Sequence, residues 1–234
     1  MKLTITRQPQ RNAGMTLLEV LAVIAIIAIL ISILVPAIAR SKIKAKVGMA
    51  KVDCATISTA IKSYYNDYGR YPVRKGQKAN TPGGDLSYDV SPPNSDAAVI
   101  LIDDTVLSDV NKNHRANYKK TRYFEPKLTD NLEEQGIGPD GVFRDPFGNP
   151  YVISVDLNND DKCCDVLYGL PSISDISGDR IGQFGLMRET INDKEMFCLP
   201  GTVMVWSAGP DRNTSLNDNA KQGANYDNII GWRH

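Results

Sequence analysis

The chain has 234 residues, with Lys plus Arg and Asp plus Glu both at 27, so its formal net charge is zero. That length holds one ordinary domain plus an appended element, not two full catalytic domains, and balanced charge offers no basic face of the kind phosphate backbones need. Nucleic acid is therefore not an expected partner. The informative property is the placing of the apolar residues, which crowd near the N-terminus ahead of a polar remainder rich in Asp, Asn and Gly.

Residues 20–39, VLAVIAIIAILISILVPAIA, carry no charge in twenty positions. At about 1.5 Å per residue they nearly span a ~30 Å hydrocarbon core. The run is longer than the roughly 7–15 apolar residues of a secretory signal peptide, and the small-residue junction Ala13–Gly14 lies before it. Lys2, Arg7 and Arg11 precede the run while Arg40, Lys42, Lys44 and Lys46 follow it, so the flanking charges do not choose an orientation. Beyond it, Ile43, Val47, Ala50, Cys54, Ile57, Ile61, Tyr64 and Tyr68 recur at alternating spacings of 4 and 3, the stripe of a helix packed on one face. Only Pro36 and Gly48 interrupt the two segments. A single helix from about Met15 to about Tyr68 follows, roughly 80 Å long, loosened or kinked at Pro36 and stopped by Gly69 and Pro72.

Residues 73–98 are rich in Gly, Pro, Asn, Ser and Asp and read as an irregular loop. A second helix is predicted over Asp96 to Val110. The turn DPFGNP at 145–150 precedes the alternating run YVISVD, a strand signal. TVMVWS at 202–207 is a second strand, and DVLYGL at 165–170 a third. The acidic run DLNNDDK at 156–162 opens like a calcium-binding EF-hand loop, but it lacks the glycine at loop position six and has Leu167 at position twelve, which favours a plain hairpin loop. The fold class is α+β: a long N-terminal helix whose exposed half packs on a small antiparallel sheet, with long loops around it.

Four blocks resemble one family. RNAG-MTLLEV, with Gly14, a basic leader before it and Glu19 at the fifth position after it, resembles the prepilin cleavage site of type IV pilins and type II secretion pseudopilins. Pro36, twenty-second counting from Met15, sits where that family has a proline. AIKSYYNDYGRYP at 60–72, DPFGNPY at 145–151, and WSAGPDRN with the later YDNIIGW are similar to segments of the major pseudopilin of type II secretion systems. The resemblance implies a pilin-like fold. It implies a leader over 1–14 removed by prepilin peptidase between Gly14 and Met15, methylation of the new Met15 amine, a transmembrane segment at about 18–39, and a periplasmic head over 69–234. It further implies a structural subunit of the bacterial inner membrane that forms a homo-oligomeric filament with other pseudopilins on a secretion platform, the alternatives being a surface type IV pilin or minor pilin, or an anchored binding module. The chain departs from the family in two long intervals, 73–144 and 156–200, and in Arg212 and Asn228, which replace a glycine and an aspartate.

Glu19 is the single ionisable side chain between Met15 and Ala39, and a charge at the bilayer centre costs on the order of 2.5 kcal/mol or more. The amine created by cleavage, on the same chain or a neighbour, is the expected partner. The resemblance also implies a structural calcium ion in the C-terminal loop, carried by Ser207, Asp211 and Asp227, with Asp218 added by proximity and Asn228 as a further oxygen. These are hard donors of the type calcium takes. In an oxidising compartment Cys198 pairs with Cys163 or Cys164, while Cys54 lies on the helix stripe as a small core residue. Nucleophile elbows, phosphate loops and dinucleotide fingerprints are not recognisable in the sequence, and no enzymatic role is expected.

Overall fold

The computed structural model describes residues 15–89 and 93–232. Helix α1 runs Leu17–Tyr68 and continues through Pro36. It ends as the sequence requires: Gly69 takes φ 64° and its amide donates to the Tyr65 carbonyl at 2.7 Å. The chain divides into two compact units, Met1–Lys44 and Ala45–His234. In the first, every described residue is exposed.

In the second unit, the α1 stripe buries Ala50, Cys54, Ile57, Ala60, Ile61 and Tyr64. It lies against an antiparallel sheet of order β1–β4–β8–β9, with β1 at Leu86–Tyr88, β4 at Val152–Val155, β8 at Val203–Ser207 and β9 at Ile229–Ile230. The register pairs Ile153 with Val205 and Val155 with Val203. Alternation along the strands then sends Leu86, Tyr88, Ile153, Val155, Val203 and Val205 into the core shared with the helix. The opposite face carries Val152, Met204, Trp206 and Ile230 into a second core. Both faces of β4 and β8 are thus covered, and neither strand has an exposed residue. Gly231, just past β9, sits where a Cβ would come within 2.5 Å of the Cys54 Cβ and 2.6 Å of the Val205 carbonyl, so the close approach of helix and sheet excludes any side chain there.

The second layer is supplied by the long interval after β4. It contains β5 (Lys162–Cys163), the short helix α3 (Pro171–Ser174), β6 (Met187–Ile191) and β7 (Lys194–Pro200), with β5, β7 and β6 forming a three-stranded sheet in that order. Asn192 and Asp193, at φ 52° and 62°, make the two-residue turn between β6 and β7. The other long interval contributes β1, helix α2 (Ser95–Leu101), a 3-10 turn at Asp109–His114, and the two-stranded pair β2 (Gly136–Ile137) and β3 (Phe143–Arg144).

Four expectations are corrected. The segment 73–98 is not wholly irregular, because it contains β1, held in register by the Asn80 side chain, whose Oδ1 accepts from Ser87 N at 2.7 Å. The helix at 96–110 ends at Leu101: Asp103 turns to φ 55°, and the amides of Asp103 and Asp104 donate back to Ile100 and Val99, a Schellman closure. DVLYGL is not a strand, since the buried Asp165 carboxylate accepts from the Leu167 and Tyr168 amides at 2.9 Å each and winds the segment into a turn. DLNNDDK is not a hairpin loop, because β4 pairs with β1 and β8 while β5 pairs with β7; the loop instead carries the chain between sheets. The Asp156 carboxylate holds that loop, accepting from Asp160 N at 3.1 Å and Asp161 N at 2.9 Å.

Cys164 and Cys198 form a disulfide that ties β7 to the segment after β5, while Cys54 and Cys163 are free and buried. Beside it lies Asp85, only 1% exposed, whose Oδ2 accepts from Cys164 N at 2.7 Å and whose Oδ1 has no hydrogen-bond partner among the described residues. Burial pushes its carboxyl up to about 7. A carboxyl whose folded pKa is raised binds its proton more tightly when folded, so the stability it supports is present below the ordinary aspartate pKa and lost as pH rises towards 7. Asp85→Asn should therefore raise the melting temperature at pH 8 by roughly 2–4 °C for each kcal/mol relieved, with a much smaller gain at pH 5; equal gains at both pH values would rule out ionisation as the cause.

Candidate functional site

The N-terminal candidate residues sit at the start of α1. Gly14 and the expected leader over 1–14 lie outside the described residues. Met15 is 76% exposed. Glu19 does not stand alone in its helix: its Oε2 accepts from Thr16 N at 2.8 Å and Thr16 Oγ1 at 3.0 Å, while its own amide donates to Thr16 Oγ1 at 3.3 Å. This is a reciprocal capping box, with Thr16 as cap and Glu19 three residues on. Thr16 is legible in the sequence as T-x-x-E directly before an apolar run, the signature of a capping box. Behind the cap runs a stretch long and apolar enough to cross a membrane, none of it buried.

The C-terminal loop is built on a different set of contacts from those expected. Ser207 is fully buried and its hydroxyl donates to Asp145 Oδ2, while accepting from Gly209 N at 3.1 Å. Asp145 also accepts from the Phe147 and Asn149 amides at 2.8 Å each. Asn149 completes the latch, its Nδ2 donating to the Gly209 carbonyl at 2.8 Å. The turn DPFGNP and the loop after β8 are thereby clamped together through side chains. Asp145 and Asn149, taken from the sequence only as turn formers, are the residues that hold this loop.

Of the four predicted donors, the structure brings together two. Asp211 N donates to Asp227 Oδ2 at 3.0 Å. The Asp227 carboxyl lies above its ordinary range, first because it is partly buried and also because the Asp211 carboxylate stands nearby, against the lowering effect of the Asp211 amide. Asp218 is committed elsewhere, its Oδ2 accepting from Ala224 N at 3.3 Å. The neighbouring Asn225, 1% exposed, bonds the Ser215 and Asp218 carbonyls at 2.8 and 2.6 Å and closes that part of the loop. Asn228 turns to the Tyr168 hydroxyl, donating at 2.9 Å. Arg212 stands at φ 61°, the left-handed conformation a glycine would take without strain. Among the described residues no group of three His, Cys, Asp or Glu side chains is placed to hold a metal ion. Ser207 and Asp218 thus bond within separate parts of the loop, whereas Asp211 and Asp227 stand together with the hard oxygens a cation takes.

Helix α1 thus begins in a capped, exposed stretch long and apolar enough to cross a membrane and ends as the packed helix of an α+β head. Residues 9–35 match the prokaryotic N-terminal methylation motif. The type II secretion system core protein G of Aeromonas hydrophila is 42% identical over 66 residues, 28% of this chain and 46% of that protein. The type II secretion system core protein G of Xanthomonas campestris pv. campestris is 31% identical over 85 residues, 36% of this chain and 59% of its own length. The type IV major pilin protein PilA of Myxococcus xanthus is 36% identical over 67 residues, 29% of this chain and 30% of the pilin. The aligned regions span between about a third and three fifths of these relatives. No solved structure matches. Motif, long helix and relatives together support a likeness of the chain to the pilin and pseudopilin superfamily.

Proposed function

We propose that the chain is a structural, non-catalytic subunit of a type II secretion pseudopilus. The observation that carries this reading is the methylation motif leading directly into one helix that is apolar and wholly exposed at first and then becomes the buried spine of the head. Prepilin peptidase would cleave between Gly14 and Met15 and methylate the Met15 amine. The single span would sit in the bacterial inner membrane with the head in the periplasm. Assembly would move the apolar segment from lipid into a bundle of like helices, alongside other pseudopilins on the secretion platform. A surface type IV pilin is the second reading, favoured by the likeness to the Myxococcus pilin; loss of protein secretion in a deletion strain separates the two.

Intact mass and N-terminal sequencing of the protein recovered from membranes test the pathway directly. A chain that starts at Met15 with one extra methyl supports it, and a chain retaining Met1 defeats it.

Glu19 has two tasks in this reading, closing the helix cap with Thr16 and pairing with a Met15 amine. Glu19→Ala should still insert in the membrane but give filament yields reduced at least tenfold. Normal yield would remove Glu19 from assembly.

Calcium, in the same reading, would bind at Asp211 and Asp227 and fix the C-terminal loop against a neighbouring subunit, with loop carbonyls and water completing its six to eight oxygens. Millimolar calcium should raise the melting temperature of the full-length protein by several degrees at neutral pH, and Asp227→Asn should abolish the rise. No shift in the parent protein would exclude the ion.

A further inference from the structure

A cavity of about 580 Å³ lies where the turn after α1 meets the 3-10 segment, walled by Arg70, Arg74, Lys75 and Arg115 over the apolar floor of Val73, Val110 and Ala116. Four cations around one hollow repel one another unless something neutralises them. One of the four is neutralised within the protein. Arg74 grips Asp96 through Nε and Nη2 at 2.9 Å each and reaches Asp109 through Nη1 at 2.9 Å, and the two carboxylates raise its pKa above the ordinary guanidinium value.

The other three are held by neutral groups or by none. Arg70 donates through Nη2 to the Ala116 carbonyl at 3.2 Å, an oxygen also bonded by the buried Tyr64 hydroxyl at 2.7 Å. Arg115 donates through Nε to the Val110 carbonyl at 3.0 Å and through Nη2 to the Asp109 carbonyl, with its nearest carboxylate, Asp109, only at 4.0 Å. Lys75 makes no hydrogen bond or ion pair among the described residues. Carbonyl anchors fix the direction of a guanidinium without cancelling its charge. Four cations facing two carboxylates leave two positive charges uncompensated, in a hollow whose volume lies within the range of small-ligand pockets.

We propose that this cavity binds a small ligand bearing a doubly charged oxyanion, a phosphate ester or a polycarboxylate, with Arg70, Lys75 and Arg115 as its charged contacts and Arg74 as the positioning residue that fixes the wall. Arginine forks match either oxyanion in bidentate fashion, while the lysine adds a point charge. The proposal rests on the head alone and stands whether or not the chain assembles into a pseudopilus.

The test is calorimetric titration of the full-length protein in detergent micelles with inorganic pyrophosphate and, separately, citrate, at ionic strength held constant with sodium chloride. Saturable binding by either probe is expected, weakened at least tenfold in Arg70→Gln/Lys75→Gln and in Arg115→Gln, while melting temperature and circular dichroism stay those of the parent. Preference for pyrophosphate assigns the phosphate class, and preference for citrate the carboxylate class. Absence of saturable heat with both probes, or affinity unchanged in the variants, would overturn the site. Should Arg115→Gln or Arg70→Gln/Lys75→Gln melt early, through loss of their carbonyl bonds, the single variant Lys75→Gln decides, because Lys75 makes no hydrogen bond or ion pair among the described residues, and an affinity unchanged in it would overturn the site.

Discussion

The fold depends on covering one stripe of one helix. Ala50, Cys54, Ile57, Ile61 and Tyr64 occupy a single face of α1, and a helix with such a face gains its stability from tertiary packing rather than from propensity. The sheet face of Ile153, Val155, Val203 and Val205 supplies the cover. At about 25 cal/mol per Å² of apolar surface removed from water, each of these side chains contributes roughly 1.5–3 kcal/mol. The closeness of the contact then fixes details elsewhere. Gly231 must lack a side chain because Cys54 and the Val205 carbonyl occupy its space. The reverse face of the same strands carries Met204 and Trp206, which cannot be left in water, so a second layer is required and the segment after β4 provides it.

That second layer is organised by buried carboxylates as much as by apolar packing. Asp165 is fully buried and accepts from two backbone amides, from Ser87 and Ser154 hydroxyls at 3.2 and 2.6 Å, and from the Trp206 indole at 3.1 Å. Five donors replace the water the carboxylate has lost, which is what makes a buried aspartate tolerable without a cation. Asp145 does the same for the turn before β4 and the loop after β8, and Asp156 for the connection between sheets. Asp85 is the exception. With one oxygen unpartnered it retains a desolvation penalty, and the strain falls beside the single disulfide among the described residues, the crosslink positioned to hold that region closed.

These carboxylates also explain what the sequence did and did not disclose. The long helix was readable to within two residues because its 4-and-3 spacing persists for more than twenty residues and ends in Gly69. β4 and β8 were readable because β-branched residues follow turn chemistry. β1 was hidden, since three residues set among Gly, Pro and Asp carry no period, and its position is fixed by Asn80 from outside the strand. DVLYGL had strand composition, but the Asp165 side chain offered the backbone nearer partners than a ladder would. The β6–β7 hairpin carries its own sequence signal, Asn192-Asp193 between two strand-like runs. At the candidate sites, resemblance gave positions but not partners. Ser207 and Asp218 each have the oxygen a metal wants and each accepts from a backbone amide, Gly209 and Ala224, a pairing that only the three-dimensional arrangement reveals, whereas Asn228 bonds the Tyr168 hydroxyl through its nitrogen and leaves its Oδ1 without a hydrogen-bond partner among the described residues.

The same distinction between a residue and its partners governs Glu19. Read alone, it is an isolated charge in an apolar helix, and an external amine is needed to make it tolerable. In the folded chain its Oε2 already receives two donors from Thr16, and the helix N-terminus, rich in unpaired amides, favours a negative charge at that position. A carboxylate has lone pairs on both oxygens, and Oε1 has no donor among the described residues. The cap therefore does not compete with an amine for Glu19. It holds the carboxylate in one orientation, with one oxygen closing its own helix and the other facing outward, so an incoming amine would meet an acceptor that is already ordered and has less conformational entropy to lose.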